Sequence, residues 1–165
     1  MGKRRKARES TLQILYQLEF NETAVDELLR DFAVQNKLKG ETADYTFSLV
    51  SGVVNNKNYI DGLIRSISVN WRMSRMAVID RNILRIAAFE LIYEETINPA
   101  VVINEAIEIA KKYSSEKSAR FINGVLDALK NKLNTIKEQK KENDHGEEKT
   151  NSAGIPETNG HNRKK

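Results

Sequence analysis

The stretch "DRNILRIAAFELIY", residues 80–93, decides the fold of this 165-residue chain. Its apolar residues recur at spacings of three and four, a period that predicts an α-helix. Because the segment is apolar on nearly every side, other helices must cover most of its surface. We therefore expect a helical bundle in which this segment is the most buried member. Asp80 stands at its start, where a carboxylate favours the positive end of the helix dipole.

The segments before it have the same helical period. One helix is predicted over residues 3–20, and a second in "NETAVDELLRDF", residues 21–32. The stretch from Thr42 to Ile67 is consistent either with one long helix or with two helices separated by a break near Asn55–Asn58. Both alternatives belong to the same all-α class.

Two features of this upstream half concern the core. Gly52 lies inside a predicted helix, where glycine costs about 1 kcal/mol relative to alanine. We expect that another helix approaches closely enough there to compensate for this cost. Between residues 67 and 80, the large side chains of Trp71, Met73 and Met76 are predicted to anchor a short turn or helix in the core.

The segments after it complete the bundle. "NPAVVINEAIEIAKKY" has a clear helix start, with Asn98 as the cap and Pro99 at the first helical position. Ser115 or Ser118 is expected to cap the last helix, "ARFINGVLDALKNKL". No alternating pattern indicates a strand. The prediction is an all-α domain of about seven helices over residues 1–135.

The C-terminal segment has a different composition from the rest. Residues 136–165 contain almost no apolar side chains, so they bury too little surface to offset the entropy cost of ordering. We predict a disordered polar tail there.

Composition argues against several classes of function. The chain has no cysteine, which excludes disulfides and thiolate metal sites. Its two histidines, His145 and His161, both lie in the polar tail, and the common catalytic and phosphate-binding motifs are absent. No apolar run approaches the roughly 18 residues of a membrane span. We expect a cytoplasmic protein that is not an enzyme and uses no metal or cofactor.

Two groups of cationic residues remain as candidates for a binding surface. The first is a block near the N-terminus that consists of Lys3, Arg4, Arg5, Lys6 and Arg8. Such a block often binds nucleic acid or an acidic partner, although a frayed and solvated terminus is the alternative. The second is "KKYSSEKSARF", residues 111–121, where cations flank Tyr113 and Phe121. These rings either stack on RNA bases or plug the end of the bundle.

Four stretches in order resemble the bacterial transcription antitermination factor NusB family. They are "RRKARESTLQILYQLEF", "LVSGVVNNKNYIDGLI", "DRNILRIAAFELIY" and "PAVVINEAIEIAKKYSSEKSARFINGVLD", and the resemblance covers residues 4–133. It implies two packed helical subdomains. It also implies binding to single-stranded boxA RNA of ribosomal RNA leaders, together with the small-subunit ribosomal protein NusE. The resulting complex helps RNA polymerase read through terminators.

The resemblance also implies roles for particular residues. It places Arg4, Arg5, Lys6, Arg8, Tyr113 and Phe121 on the RNA side. The neighbouring cations Lys3, Lys117 and Arg120 are predicted to bind RNA from their charge and position in the sequence. Tyr16 and Asp80 match family positions that face NusE. Lys117 departs from the family, which often has an acidic residue after the glutamate of this turn, and a cation there should favour RNA phosphate.

Two other functions are compatible with a helical domain of this kind. The same domain occurs fused to RNA methyltransferases, but the roughly 30 polar residues after Leu133 do not fit a cofactor-binding domain. The second alternative is an adaptor that docks only proteins and uses its basic N-terminus for solubility.

Overall fold

The computed structural model describes residues 2–151, and the regular elements in that range are all helical, which confirms the all-α prediction. A short 3-10 turn, Met73–Arg75, precedes the fifth helix. The α-helices of the described range are α1 Lys3–Phe20, α2 Val25–Gln35, α3 Gly40–Asn55, α4 Lys57–Ile67, α5 Val78–Tyr93, α6 Pro99–Tyr113 and α7 Glu116–Asn151.

The helices pack in two groups within a compact unit that ends at Asn131. In the first group, α1 packs against α2 and α3, and in the second, α5 packs against α4 and α6. Contacts of α1 and α3 with α5 join the two groups. Residues from 132 onward form a separate unit, and its described part, up to Asn151, consists of the later turns of α7. No helix among residues 2–151 is long and apolar enough to cross a membrane.

Helix α5 is the centre of the fold, as its sequence predicts. Eleven of its sixteen residues are buried. Four of the eleven, Asp80, Asn82, Arg85 and Glu90, are polar or charged, so the centre of this protein is not purely apolar. Each of these side chains requires a partner, because an unpaired polar group in the interior is costly.

One group of charged side chains links α1, α4 and α5, and we call it the Glu19 network. Arg85 donates to Asp61 at 2.8 and 3.1 Å and to Glu19 at 2.8 Å. Arg81 and Asn82 also donate to Glu19. The hydrogen bond from Arg81, followed by those from Arg85 and Asn82, lowers the pKa of Glu19 from 4.5 to about 2.

The stretch from Thr42 to Ile67, for which the sequence allows one long helix or two, forms two helices. Helix α3 ends at Asn55 and α4 begins at Lys57, and the Asn56 side chain donates to the Gly52 carbonyl at 2.8 Å. Gly52 also makes the close approach that its sequence position suggests. A Cβ atom there would lie only 2.2 Å from the Phe89 ring of α5, so no larger residue fits without displacement.

The starts of the last two helices follow the sequence signals. The Asn98 side chain accepts from the Ala100 amide at 2.9 Å, and Pro99 is the first residue of α6. At the start of α7, the Ser115 hydroxyl accepts from the Ser118 amide at 3.0 Å, so Ser115 is the capping residue.

Two expectations about the fold are wrong. Trp71 is not a core anchor but is 55% exposed, whereas Met73 and Met76 are buried as expected. Helix α7 continues to Asn151 instead of ending near residue 135. The added turns are rich in lysine, glutamate and glutamine, which are good helix formers and need no core contact to continue a helix. The disorder predicted for residues 152–165 concerns positions outside the described range and stays a prediction.

Candidate nucleic-acid interface

The first cationic group begins as ordered helix rather than as a frayed end. We call residues 3–8 of α1 the basic arm. Lys3, Arg4 and Lys6 are exposed, and the Arg4 guanidinium lies 4.4 Å from the centre of the Tyr45 ring. Lys3 makes one long ion pair, at 3.4 Å, with the exposed Glu41. Because pairs of this kind are weak, these three cations are available to an anionic ligand.

Arg5 is held more firmly than its neighbours. Its guanidinium donates to both carboxylate oxygens of Glu105 on α6, at 2.7 and 2.9 Å. This bidentate pair raises the pKa of Arg5 and lowers the pKa of Glu105. Arg5 remains partly exposed, so it has a fixed position next to α6 and presents only part of its charge to solvent.

Arg8 does not lie on the surface with the rest of the basic arm. Its side chain is 5% exposed and donates to both oxygens of Glu90 on α5, at 2.7 and 2.8 Å. Tyr45 also donates to Glu90, at 2.6 Å. Burial is the largest single influence and acts to lower the pKa of Arg8. The hydrogen bonds and charge of Glu90, together with the charges of Tyr45 and Glu105, outweigh burial, so the pKa of Arg8 is raised. Arg8 is therefore a charged core residue, and we remove it from the candidate RNA surface.

Tyr113 connects the α6–α7 junction to α1. Its hydroxyl donates to Glu9 at 3.2 Å, and Lys112 donates to the same carboxylate at 3.1 and 3.2 Å. The Lys112 ammonium also lies 5.2 Å from the centre of the Tyr113 ring. The Tyr113 side chain is half-buried, so part of its surface remains accessible.

Phe121 has different neighbours from Tyr113. Its ring meets Trp71 edge to face, with centroids 5.8 Å apart and an angle of 63° between the planes. Both rings line a surface cavity of about 240 Å³, which we call the Trp71 cavity. Lys117 and Arg120 are exposed on the same first turns of α7. The cavity is also lined by Arg75, Asp80, Lys117 and Ser118.

The residues expected to face a protein partner have unlike surroundings. Tyr16 is 43% exposed, and its ring lies 5.0 Å from that of Phe20, which is 62% exposed. Asp80 is 8% exposed and accepts from the Ser118 hydroxyl at 2.8 Å. The contacts of Asp80 therefore lie at the start of α7, next to Phe121, rather than in the exposed aromatic pair.

Sequence reasoning missed several residues of this surface. Trp71 and Arg75 lie in the connector before α5 and were not assigned to any site. Glu9 and Glu105 position the cations of the α6–α7 junction and the basic arm, but each pairs with a residue about 100 positions away. No local pattern indicates such pairings. Only Trp71 carried a usable signal, as the chain's one tryptophan beside three arginines, at positions 65, 72 and 75.

Comparison with known proteins agrees with these observations. The NusB protein of Listeria welshimeri, a transcription antitermination protein, is 46% identical over 124 residues, which are 75% of this chain and 93% of that protein. A chain in a crystal structure of antitermination factors NusB and NusE in complex with dsRNA superposes with a TM-score of 0.72. It is 28% identical, and the match covers 79% of this chain and 98% of that one.

A second solved structure, of a plectonemic RNA supercoil, contains a chain with a TM-score of 0.76. That chain is 29% identical, and the match covers 82% of this chain and 99% of that one. The model of the NusB family matches residues 5–131, which include the basic arm from Arg5 onward and the α6–α7 junction. With the helical architecture described above, these matches show that the chain belongs to the NusB family.

Proposed function

We propose that this protein is a cytoplasmic transcription antitermination factor that binds boxA-type single-stranded RNA of ribosomal RNA leaders. In this proposal it acts together with NusE, and the complex assists RNA polymerase in reading through terminators. The observation that carries the proposal is the pair of cationic and aromatic surfaces, on α1 and at the α6–α7 junction, in a chain similar to a NusB protein that was crystallised with NusE and RNA.

The charge distribution supports RNA as the ligand. Lys3, Arg4 and Lys6 are exposed along one end of α1, and Lys117 and Arg120 are exposed at the start of α7. Exposed cations neutralise phosphates, and an aromatic ring beside them offers a face for an unstacked base. Arg5 and Tyr113 contribute from fixed positions, since both are bonded to carboxylates of neighbouring helices.

A second surface supports a protein partner. Tyr16 and Phe20 leave two large rings in solvent near the end of α1. Aromatic residues of this kind are common at the centres of protein interfaces. We propose that Tyr16 contacts NusE, with Phe20 beside it. The family position of Asp80 also implies a contact with NusE, and that role stays a prediction.

Binding of a boxA-type RNA oligomer, with a scrambled oligomer as control, tests the proposal. We expect tighter binding of the boxA-type oligomer and a further gain when purified NusE is present. Log affinity should fall with log salt concentration with a slope of about −0.7 per neutralised phosphate.

Lys117→Glu gives a charge-specific check on the same measurement. It reverses a charge on an exposed residue of the first turn of α7 and should weaken RNA binding most at low salt. If the protein binds NusE normally but binds no RNA at any salt concentration, the alternative of a protein-only adaptor replaces this proposal.

A further inference from the structure

Trp71 is placed unusually for a large aromatic residue. It lies in the connector between α4 and α5, is 55% exposed, and meets Phe121 at an angle of 63°. Two rings at this angle form adjoining walls of a corner, so a planar group that stacks on one ring meets the other with its edge. The Trp71 cavity, about 240 Å³, lies at this corner.

Cations line the cavity from two separate elements. Arg75 ends the 3-10 turn on one side, and Lys117 belongs to the first turn of α7 on the other. Both residues are exposed. Aromatic faces with flanking cations are the combination by which proteins hold single-stranded nucleic acid, because bases stack on the rings while phosphates pair with the cations.

One wall of the cavity contains a polar group that lacks a partner. Asp80 is 8% exposed, and its Oδ2 accepts from Ser118. Among the described residues, its Oδ1 is the buried side-chain oxygen or nitrogen that has no hydrogen-bond partner. An unpaired buried acceptor is unfavourable, so the site favours an occupant that carries N–H donors on its edge.

We propose that Trp71 and Phe121 form a corner that holds one unstacked RNA base, with Arg75 and Lys117 beside the neighbouring phosphates. The inference rests on the proposed RNA-binding function and extends it to the connector before α5. A nucleobase meets all three features of the site, since it has stacking faces, N–H donors at its edge and adjacent negative charges. An aliphatic side chain of a protein partner has neither the donors nor the charge.

Trp71 is the one tryptophan of the chain, so its fluorescence reports on this corner in the unmodified protein. We expect titration with a single-stranded RNA oligomer to quench that fluorescence. Trp71→Ala should weaken RNA affinity by about five- to 150-fold, the equivalent of one lost base stack. Trp71→Phe should keep most of the affinity, because it retains an aromatic face.

The control is Tyr59→Ala, which removes another half-exposed ring that does not line the Trp71 cavity. It should leave RNA affinity unchanged. A second comparison, the Arg4→Ala/Lys6→Ala variant, reports on RNA binding through the basic arm alone. Thermal melting of each variant checks that it remains folded. The fluorescence titration uses the unmodified protein, so it tests the corner even if a variant does not fold.

Three outcomes would overturn the inference in distinguishable ways. If RNA leaves the fluorescence unchanged and Trp71→Ala binds normally while the arm variant binds weakly, the proposed function stands and the base corner fails. If the unmodified protein binds no RNA, both proposals fail together. If the fluorescence responds to purified NusE but not to RNA, the corner is a protein site.

Discussion

Two arginines one turn apart on α1 have opposite roles, and no local sequence feature separates them. Arg4 is exposed over Tyr45, whereas Arg8 is buried against Glu90. The pattern of the basic arm predicts both as RNA contacts, because they share a helix face. The partner of Arg8 lies 82 positions away, so its burial follows only from the packing of α1 on α5.

We predict that Arg8→Ala lowers the free energy of unfolding by about 3–5 kcal/mol, because it leaves the Glu90 carboxylate buried without its charge partner. Arg4→Ala is the matched control and should change stability by at most about 0.5 kcal/mol, since it removes an exposed charge. Urea denaturation of the two variants measures both values. Equal losses would contradict the assignment of Arg8 to the core.

Phe121 and Ile122 provide a second matched pair at residue scale. Phe121 is half-buried at the corner with Trp71, whereas Ile122 is fully buried. We predict that Phe121→Ala weakens RNA binding about tenfold or more with a small change in melting. Ile122→Ala should cost about 2–5 kcal/mol of stability while the folded protein still binds RNA. The reverse pattern would make Phe121 a plug of the bundle.

At the scale of secondary-structure elements, helical periodicity and capping residues predict several features of the helices. The sequence predicts the burial of α5, the Asn98 cap of α6 and the close approach at Gly52, because each depends on residues near in sequence. It does not predict the exposure of Trp71, since a connector's path depends on the helices at both ends. The sequence does not indicate how far α7 extends, because residues 136–151 lack the apolar side chains that predict burial and continue the helix through helix propensity alone.

We predict that replacement by alanine has opposite effects on stability at Gly52 and Gly62, which lie in neighbouring helices. Gly52→Ala on α3 places a methyl group where the Phe89 ring stands, and should cost about 1–3 kcal/mol of stability through overpacking. Gly62→Ala on α4 meets no atom within 4 Å and should stabilise by about 0.5–1 kcal/mol. Thermal melting of the two variants tests this. A stabilised Gly52 variant would contradict the close packing of α3 on α5.

At the scale of the whole molecule, the Glu19 network makes stability depend on pH. The pKa of Glu19 falls from 4.5 in the unfolded chain to about 2 in the fold. A lowered carboxyl pKa stabilises the fold above the unfolded value, and that contribution is lost as pH falls from about 4.5 towards 2. We therefore predict a loss of stability across this range that is smaller in Glu19→Gln.

The same Glu19→Gln variant should be less stable than the unmodified protein at neutral pH, by roughly 3 kcal/mol, because Arg81 and Arg85 lose their shared anion. Glu22→Gln, an exposed change just after α1, is the control and should follow the unmodified protein. Urea denaturation between pH 2.5 and 7, conducted at constant ionic strength, compares the three proteins. Parallel curves for Glu19→Gln and the unmodified protein would contradict the assignment.

The sequence predicts the fold more completely than it predicts the candidate site. Helical periodicity was enough for the architecture, because apolar residues on one helix face need only some neighbouring helix. The candidate surface was found in outline from its cations and rings. Its actual composition depended on long-range pairs such as Arg8 with Glu90 and on the meeting of Trp71 with Phe121, which no single segment encodes.

The contact between Gly52 and Phe89 has a consequence for evolution. A side chain can appear at position 52 only if the ring at position 89 becomes smaller or turns away, so the two positions should covary among related proteins. An alanine or serine at position 52 should be tolerated in homologues that have a leucine or alanine at position 89. The pair is thus a compensatory site, where each substitution is harmful alone and acceptable after the other has occurred.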